Sequence, residues 1–236
     1  FSSRRRHTRF RNVTGVQTCA LPIFKKIEAE HGPSAFACSF GVEDMVLLDL
    51  IAKHARGIEV FTLDTGRLPA ETYDVLDQAR DKYPVSIRVY FPEARQVEQW
   101  MEINGANGFY HSVAQRKQCC HIRKVVPLAR ALAGKKSWVT GLRREQSNAR
   151  QDLRIQEWDE GNKLEKFNPL LEWTLDQTWA YVRENEIPYN ALHDKGYPSI
   201  GCAPCTRAVE PGQDFRAGRW WWEESAKECG LHAPKG

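Results

Sequence analysis

Between residues 34 and 141 the chain alternates four times between a short apolar run and a helical stretch, and this order limits the fold more than any other feature. "SAFACSF" (34–40) reads as a buried strand. "GVEDMVLLDLIAKHA" (41–55) follows as a helix, with Met45, Leu48 and Ile51 or Ala52 at helical spacing. Glu43 and Asp44 fall in its first turn, where acids complement the helix dipole. "IEVFTLD" (58–64) is a second strand and "PAETYDVLDQARDKY" (69–83) a second helix, with Pro69 at its start. "VSIRVYF" (85–91) and "EARQVEQWME" (93–102) repeat the pair. A further helix runs from the Cys119 region to about Ala133, before a fourth strand, "KKSWVTG" (135–141). Such alternation predicts an α/β fold, a parallel sheet covered by helices. Beyond residue 150, "RIQEWDEGNKLEKFNPLLEW" reads as a hairpin turning near Gly161-Asn162. "TLDQTWAYVRENEI" is a helix capped by Thr174, with Gln177 completing a capping box. From Tyr189 onward Gly, Pro and Trp dominate, which predicts a loop-rich C-terminal tail packed on the domain.

The chain has 236 residues, ample for a hydrophobic core. The formal charge of +4 is unevenly placed: residues 1–24 hold five arginines and no acid, so residues 25–236 carry a net −1. The segment "FSSRRRHTRFRNVTGVQTCALPIF" shows no helical or alternating period, lacks the apolar stretch of a signal peptide, and resembles translated adapter sequence. It is set aside as a non-native or disordered segment. The functional alternative is a basic arm for nucleic acid or membrane. No run of about 18 apolar residues is present, so no membrane-spanning helix is expected. Seven cysteines, not spaced like a small secreted scaffold, favour metal binding or intracellular chemistry and a cytoplasmic location.

Three strand ends carry polar, glycine-bearing turns: Ser39-Phe40-Gly41-Val42-Glu43-Asp44, Leu63-Asp64-Thr65-Gly66, and Thr140-Gly141-Leu142-Arg143-Arg144. Such turns present backbone N–H groups to anions, and open parallel sheets bind ligands at these ends. Singly, each is equally an ordinary strand–helix turn. Arg143, Arg144 and Arg150 are available to anionic oxygens or lie on a solvated loop. Cys119-Cys120 and Cys202-Ala203-Pro204-Cys205 form two close thiol pairs. Adjacent helical residues point about 100° apart, awkward for one zinc ion, whereas a four-iron cluster offers a separate corner to each thiolate. Zinc, a disulfide or plain burial remain the other readings. Arg116, Lys117, Arg123 and Lys124 suit an anionic cluster or form a solvated helix face. Cys229, in "KECGLH" beside Lys227 and His232, is a candidate reactive thiol. In "FRAGRWWW", Arg216 and Arg219 are spaced to share a helix face, and Trp220–Trp222 suggest packing.

Together these features resemble the assimilatory adenylyl-sulfate reductases, related to the phosphoadenylyl-sulfate reductases, over about Ser34 to His232. The two cysteine pairs and the Glu-Cys-Gly-Leu-His tail are the most specific parts. The resemblance implies an ATP-pyrophosphatase-like (adenine nucleotide alpha hydrolase-like) fold, with a nucleotide-binding domain over 25–212 and a mobile tail over 213–236. It implies a [4Fe–4S] cluster held by Cys119, Cys120, Cys202 and Cys205, and a nucleophile at Cys229. Lys124 would lie between cluster and substrate. Ser39, Leu63, Thr65 and Gly141 would surround the nucleotide, and Arg150, Arg216 and Arg219 the phosphosulfate. The activity implied is reduction of adenylyl sulfate to sulfite and AMP through a Cys S-sulfonate, resolved by thioredoxin or a glutaredoxin-type thiol, in sulfate assimilation and cysteine biosynthesis. No nucleic-acid or membrane partner is expected, and a homo-oligomer is compatible. The Ser-Gly-Gly-x-Asp-Ser loop of ATP pyrophosphatases departs here to Ser-Phe-Gly-Val-Glu-Asp, which speaks against ATP use. Phosphoadenylyl-sulfate reduction, an adenylating pyrophosphatase and a metal-stabilised binding module are the alternatives.

Overall fold

A computed structural model describes residues 13–147 and 150–223. Six strands form one sheet: β1 (Ser34–Ala37), β2 (Glu59–Leu63), β3 (Ile87–Tyr90), β4 (Ser137–Val139), β5 (Gln156–Asp159) and β6 (Leu164–Phe167). Their order is β3-β2-β1-β4-β6-β5, parallel throughout except for the β5 edge, which pairs antiparallel with β6. The expected hairpin is therefore real, and its second strand enters the parallel sheet beside β4. The strand order reverses between β1 and β4, which pair through Phe36 and Val139. That reversal opens a crevice at the strands' C-terminal ends, where open sheets of this kind take ligands.

Alternation along the strands divides the core into two layers. Phe36, Val60 and Val139 face α2 (Val42–His54), α3 (Ala70–Lys82) and α7 (Leu175–Glu184). Ala35, Phe61 and Trp138 face Leu128, Ala131 and Leu132 of α6 (Val126–Leu132). Helix α2 is enclosed on every side: Val42 through Ala52 are all buried. Its expected single apolar stripe was too narrow, because it packs on the sheet, α1 and α7 together. Thr174 caps α7 and exchanges hydrogen bonds with Gln177, as its sequence predicts.

Helix α1 (Val13–Glu30) corrects the reading of the N-terminal segment as aperiodic. Ala20, Phe24 and Ile27, spaced four and three residues apart, are fully buried in the main core. The helical period lies only in the second half of that stretch and continues past residue 24, so the expected boundary falls inside a helix. Residues 1–12 lie outside the described residues. Among the described residues no helix is long and apolar enough to cross a membrane.

Candidate active site

The turn after β1 begins the site. Ser39 donates both its backbone N–H and its hydroxyl to Asp44 Oδ2, each at 2.6 Å. Asp44 and Glu43 are buried, so these acids are not the solvated dipole partners that their helix position suggests. Burial pushes Asp44 up to about 6 even though the Ser39 bonds oppose it. Glu43 pairs with Arg143 Nε at 2.9 Å, joining this turn to the one after β4. Phe40 is buried with φ of +60°, a conformation that glycine adopts without strain and a bulky side chain does not. A Cβ at Gly141 would stand 2.1 Å from Asp44 Oδ1, so only glycine lets the two turns meet.

These turns rim a cavity of about 220 Å³ at the crevice between β1 and β4. The structure brings Ser39, Leu63, Thr65 and Gly141 to its wall, and with them four cations: Lys124, Arg150, Arg216 and Arg219. Arg150 bonds Gln146 Oε1, which also accepts from the backbone N–H of Arg143. Arg219 donates to Ser199 Oγ at 3.3 Å and to the Ile200 carbonyl at 3.2 Å. A Cβ at Gly201 would meet its guanidinium at 2.2 Å, which leaves the arginine a groove only glycine provides. Arg216 and Arg219 do not share a helix; they occupy a turn in which Arg219 N–H donates to the Arg216 carbonyl. Arg143 and Arg144 are committed elsewhere. Arg143 lies between Glu43 and Glu145, and Arg144 faces outward to Glu172.

A second, smaller cavity adjoins the first, and Cys119, Cys120, Cys202 and Cys205 all line it. The first pair ends α5 (Val113–Cys120), which Ser112 caps through its hydroxyl. A wide π-turn, His121–Val125, follows before α6. Single π-turns interrupt helices mostly at functional sites; this one carries Arg123 and Lys124 past the cysteines. The second pair forms a tight turn, Ala203–Cys205, in which Ala203 N–H donates to the Arg67 carbonyl at 2.8 Å. Thr65 Oγ1 lies 3.3 Å from Cys202 Sγ, and Arg123 donates to the Thr65 carbonyl at 2.6 Å. The turn after β2 therefore touches both cavities. Lys124 lines both as well.

The thiol cavity is walled by cations and rings. Arg67 stacks on Phe109 at 5.5 Å, and Arg116 and Arg123 are buried. Lys117 is exposed and is the solvated member of that basic run. Burial pushes Cys205 up to about 12 and raises Cys119, so these two thiols, when bare, stay protonated. A bound metal centre reverses that preference, because metal-bound sulfur is thiolate. Cys38, Cys119, Cys120, Cys202 and Cys205 form no disulfide. Among the described residues no three Cys, His, Asp or Glu side chains close on a single-ion site. Four thiols around one cavity with cationic walls fit a larger anionic group.

Of the expected tail over 213–236, residues 213–223 are described, and Cys229 lies outside the described residues. Arg207 N–H donates to the Gly218 carbonyl at 3.0 Å, and Thr206 and Arg219 form a β-bridge, so this stretch is tied to the second cysteine pair. Trp220 is buried, as packing predicts, while Trp221 and Trp222 contact Tyr110. Sequence reasoning missed His193, Gln146 and Trp138 in the cavity wall and Glu223 beside Arg116. His193 opens a one-turn 3-10 helix, His193–Lys195, with Nδ1 2.9 Å from the Tyr197 carbonyl, and burial lowers its pKa. A lone histidine in so short a turn has no spacing that would single it out.

Residues 33–208 match the family model described as the phosphoadenosine phosphosulfate reductase domain. The chain is 48% identical over 217 residues to an adenosine 5'-phosphosulfate reductase of Allochromatium vinosum, covering 92% of this chain and 85% of the relative. It is 49% identical over 211 residues to one of Burkholderia cepacia, covering 89% and 84%. Among solved structures, phosphoadenylyl-sulfate reductase of Candida auris aligns with a TM-score of 0.69 at 25% identity, covering 89% of this chain and 99% of that one. FMN adenylyltransferase of Candida glabrata aligns at 0.54 and 15% identity, covering 85% and 68%, a likeness of fold alone. The adenine nucleotide alpha hydrolase-like fold expected from the sequence is the one these neighbours share.

Proposed function

The chain belongs to the phosphoadenosine phosphosulfate reductase family, and on that premise we propose that it reduces adenylyl sulfate to sulfite and AMP in sulfate assimilation. Its relatives' names support that substrate. The observation that carries the reading is Lys124, whose side chain lines both the nucleotide-sized cavity and the cysteine-lined one.

The reacting sulfur of adenylyl sulfate is ringed by anionic oxygens, which repel a thiolate. Lys124, Arg150, Arg216 and Arg219 line the cavity and would oppose that charge as it builds. Ser39, Leu63, Thr65 and Gly141 would hold the nucleoside end, with Phe40 removing a close backbone approach and Asp44 discouraging the extra charge of a triphosphate. The Cys229 thiolate then attacks sulfur, the S–O bond to phosphate breaks, and AMP leaves with that electron pair. The product is a Cys S-sulfonate. A thiolate of a thioredoxin or glutaredoxin-type dithiol attacks the Cys229 sulfur next, and sulfite leaves with the bonding pair. The dithiol's second sulfur closes its own disulfide and restores the Cys229 thiol, so the dithiol supplies both electrons. This order asks the segment bearing Cys229 to approach the cavity first and to meet the reductant afterwards.

Cys119, Cys120, Cys202 and Cys205 would hold a [4Fe–4S] cluster, with Arg116, Arg123 and Lys124 beside it. When bound, that group supplies electrostatic tuning beside the substrate and no redox cycling. The test is steady-state sulfite release with reduced thioredoxin, comparing adenylyl sulfate with its 3'-phosphorylated analogue. A kcat/KM at least tenfold higher for adenylyl sulfate is expected. Equal values would make the enzyme dual-specific, and the reverse order would make it a phosphoadenylyl-sulfate reductase.

A further inference from the structure

Arg116 lines the thiol cavity, but its guanidinium points its fork at a residue of the C-terminal stretch. Nε donates to Glu223 Oε1 at 2.9 Å and Nη2 to Oε2 at 2.8 Å. The two side chains are 1% and 3% exposed, the most enclosed ion pair among the described residues. Arg116 also hydrogen-bonds Cys120 and stacks on Trp220, 4.6 Å from the ring centre. Arg219 lies 4.8 Å from the centre of the same ring and Arg216 5.9 Å, and both line the larger cavity. Trp220 itself has φ of +42°, an outlier for so bulky a residue. Its N–H donates to the Cys205 carbonyl at 3.2 Å, and its carbonyl accepts from Glu223 N–H at 2.9 Å. Strain of this kind persists only where the surroundings over-determine it.

We infer that Arg116 and Glu223 form a positioning clamp, which fixes the root of the Cys229 segment against the cysteine cavity and holds Trp220 under the substrate arginines. The inference rests on the reading of Cys229 as the attacking thiol. Five residues lie between Glu223 and Cys229, so the two are at most about 22 Å apart when that stretch is extended. The place where Glu223 is pinned therefore bounds the volume that the thiol can search. A pinned root raises the thiol's effective concentration at the cavity, in the way a short tether does. A neutral or shortened partner keeps the cavity wall but lets the root shift.

The test uses the whole chain with its metal, under anaerobic conditions. Glu223→Gln and Arg116→Lys are compared with the parent for iron content, AMP dissociation constant and the single-turnover rate of S-sulfonate formation from adenylyl sulfate. Glu223→Gln is expected to slow that rate by about 10- to 100-fold. Iron content should be unchanged and AMP affinity should stay within about twofold. Arg116→Lys, which keeps the charge and loses the fork, should fall between. If Glu223→Gln fails to retain iron, the double variant Arg116→Met/Glu223→Met, which removes both charges together, replaces it with the same split expected. An unchanged rate overturns the clamp. So does a loss of iron and AMP affinity that accounts for the slower rate in both variants, which would leave a purely structural pair. A parent that forms no adduct overturns the assignment of Cys229 instead.

Discussion

Asp44 is buried at the crevice with both Ser39 donors on one oxygen and Gly141 packed against the other. Burial holds its folded pKa at about 6, above the ordinary aspartate range, so folding favours the protonated acid. The stability it contributes is fully present below about pH 4 and is lost as pH rises through 6. Against Asp44→Asn, which cannot ionise, the parent should lose about 2 kcal/mol between pH 4 and 7, read from denaturant midpoints at each pH. A flat difference across that range contradicts the burial argument. Gly141→Ala should displace Asp44, because its Cβ would lie 2.1 Å from Oδ1. AMP affinity measured by calorimetry should weaken by tenfold or more, about 1.4 kcal/mol. At this scale the turns were legible from their glycines and strand ends, but the acids' burial was not. Glu43 and Asp44 have the same positions in the sequence that solvated dipole partners have. Only the pairing of β1 with β4 brings Arg143 and Gly141 to them.

Among the elements, the helix holding the first cysteine pair does most to join the two cavities. One helix from the Cys119 region to about Ala133 is the sequence reading; the structure starts it earlier, at Val113, and breaks it into α5, a π-turn and α6. Nothing in "HIRKV" announces that turn, since its residues tolerate an α-helix as well as a π-turn. Lys124 emerges from it toward both cavities. Lys124→Gln should therefore slow S-sulfonate formation by about 10²-fold, the scale of losing one preorganised donor at a developing charge. Iron content should not change; equal rates in parent and variant would remove Lys124 from the mechanism. The hairpin and the α7 capping box were readable because turn residues and caps act locally. The turn of Arg216 and Arg219 was not, since it is held by the Thr206–Arg219 bridge, a contact between distant stretches.

Across the whole molecule, three segments distant in sequence meet at the thiol cavity: α5 with its π-turn, the Ala203–Cys205 turn, and the stretch from Gly218 to Glu223. A group bound by the four cysteines would fasten all three, so its removal should lower thermal stability and loosen that stretch to protease. Metal analysis should find about four irons and no stoichiometric zinc per chain; one zinc and no iron would contradict the cluster. The covalent intermediate is the central claim, and a single anaerobic turnover tests it most directly. Protein carrying its iron is mixed with adenylyl sulfate without thiol, and its peptides are weighed. The account predicts one added SO3 on the peptide containing Cys229, AMP released with it, and sulfite appearing only once reduced thioredoxin is added. An unmodified Cys229 peptide, or sulfite released without any thiol, would contradict it.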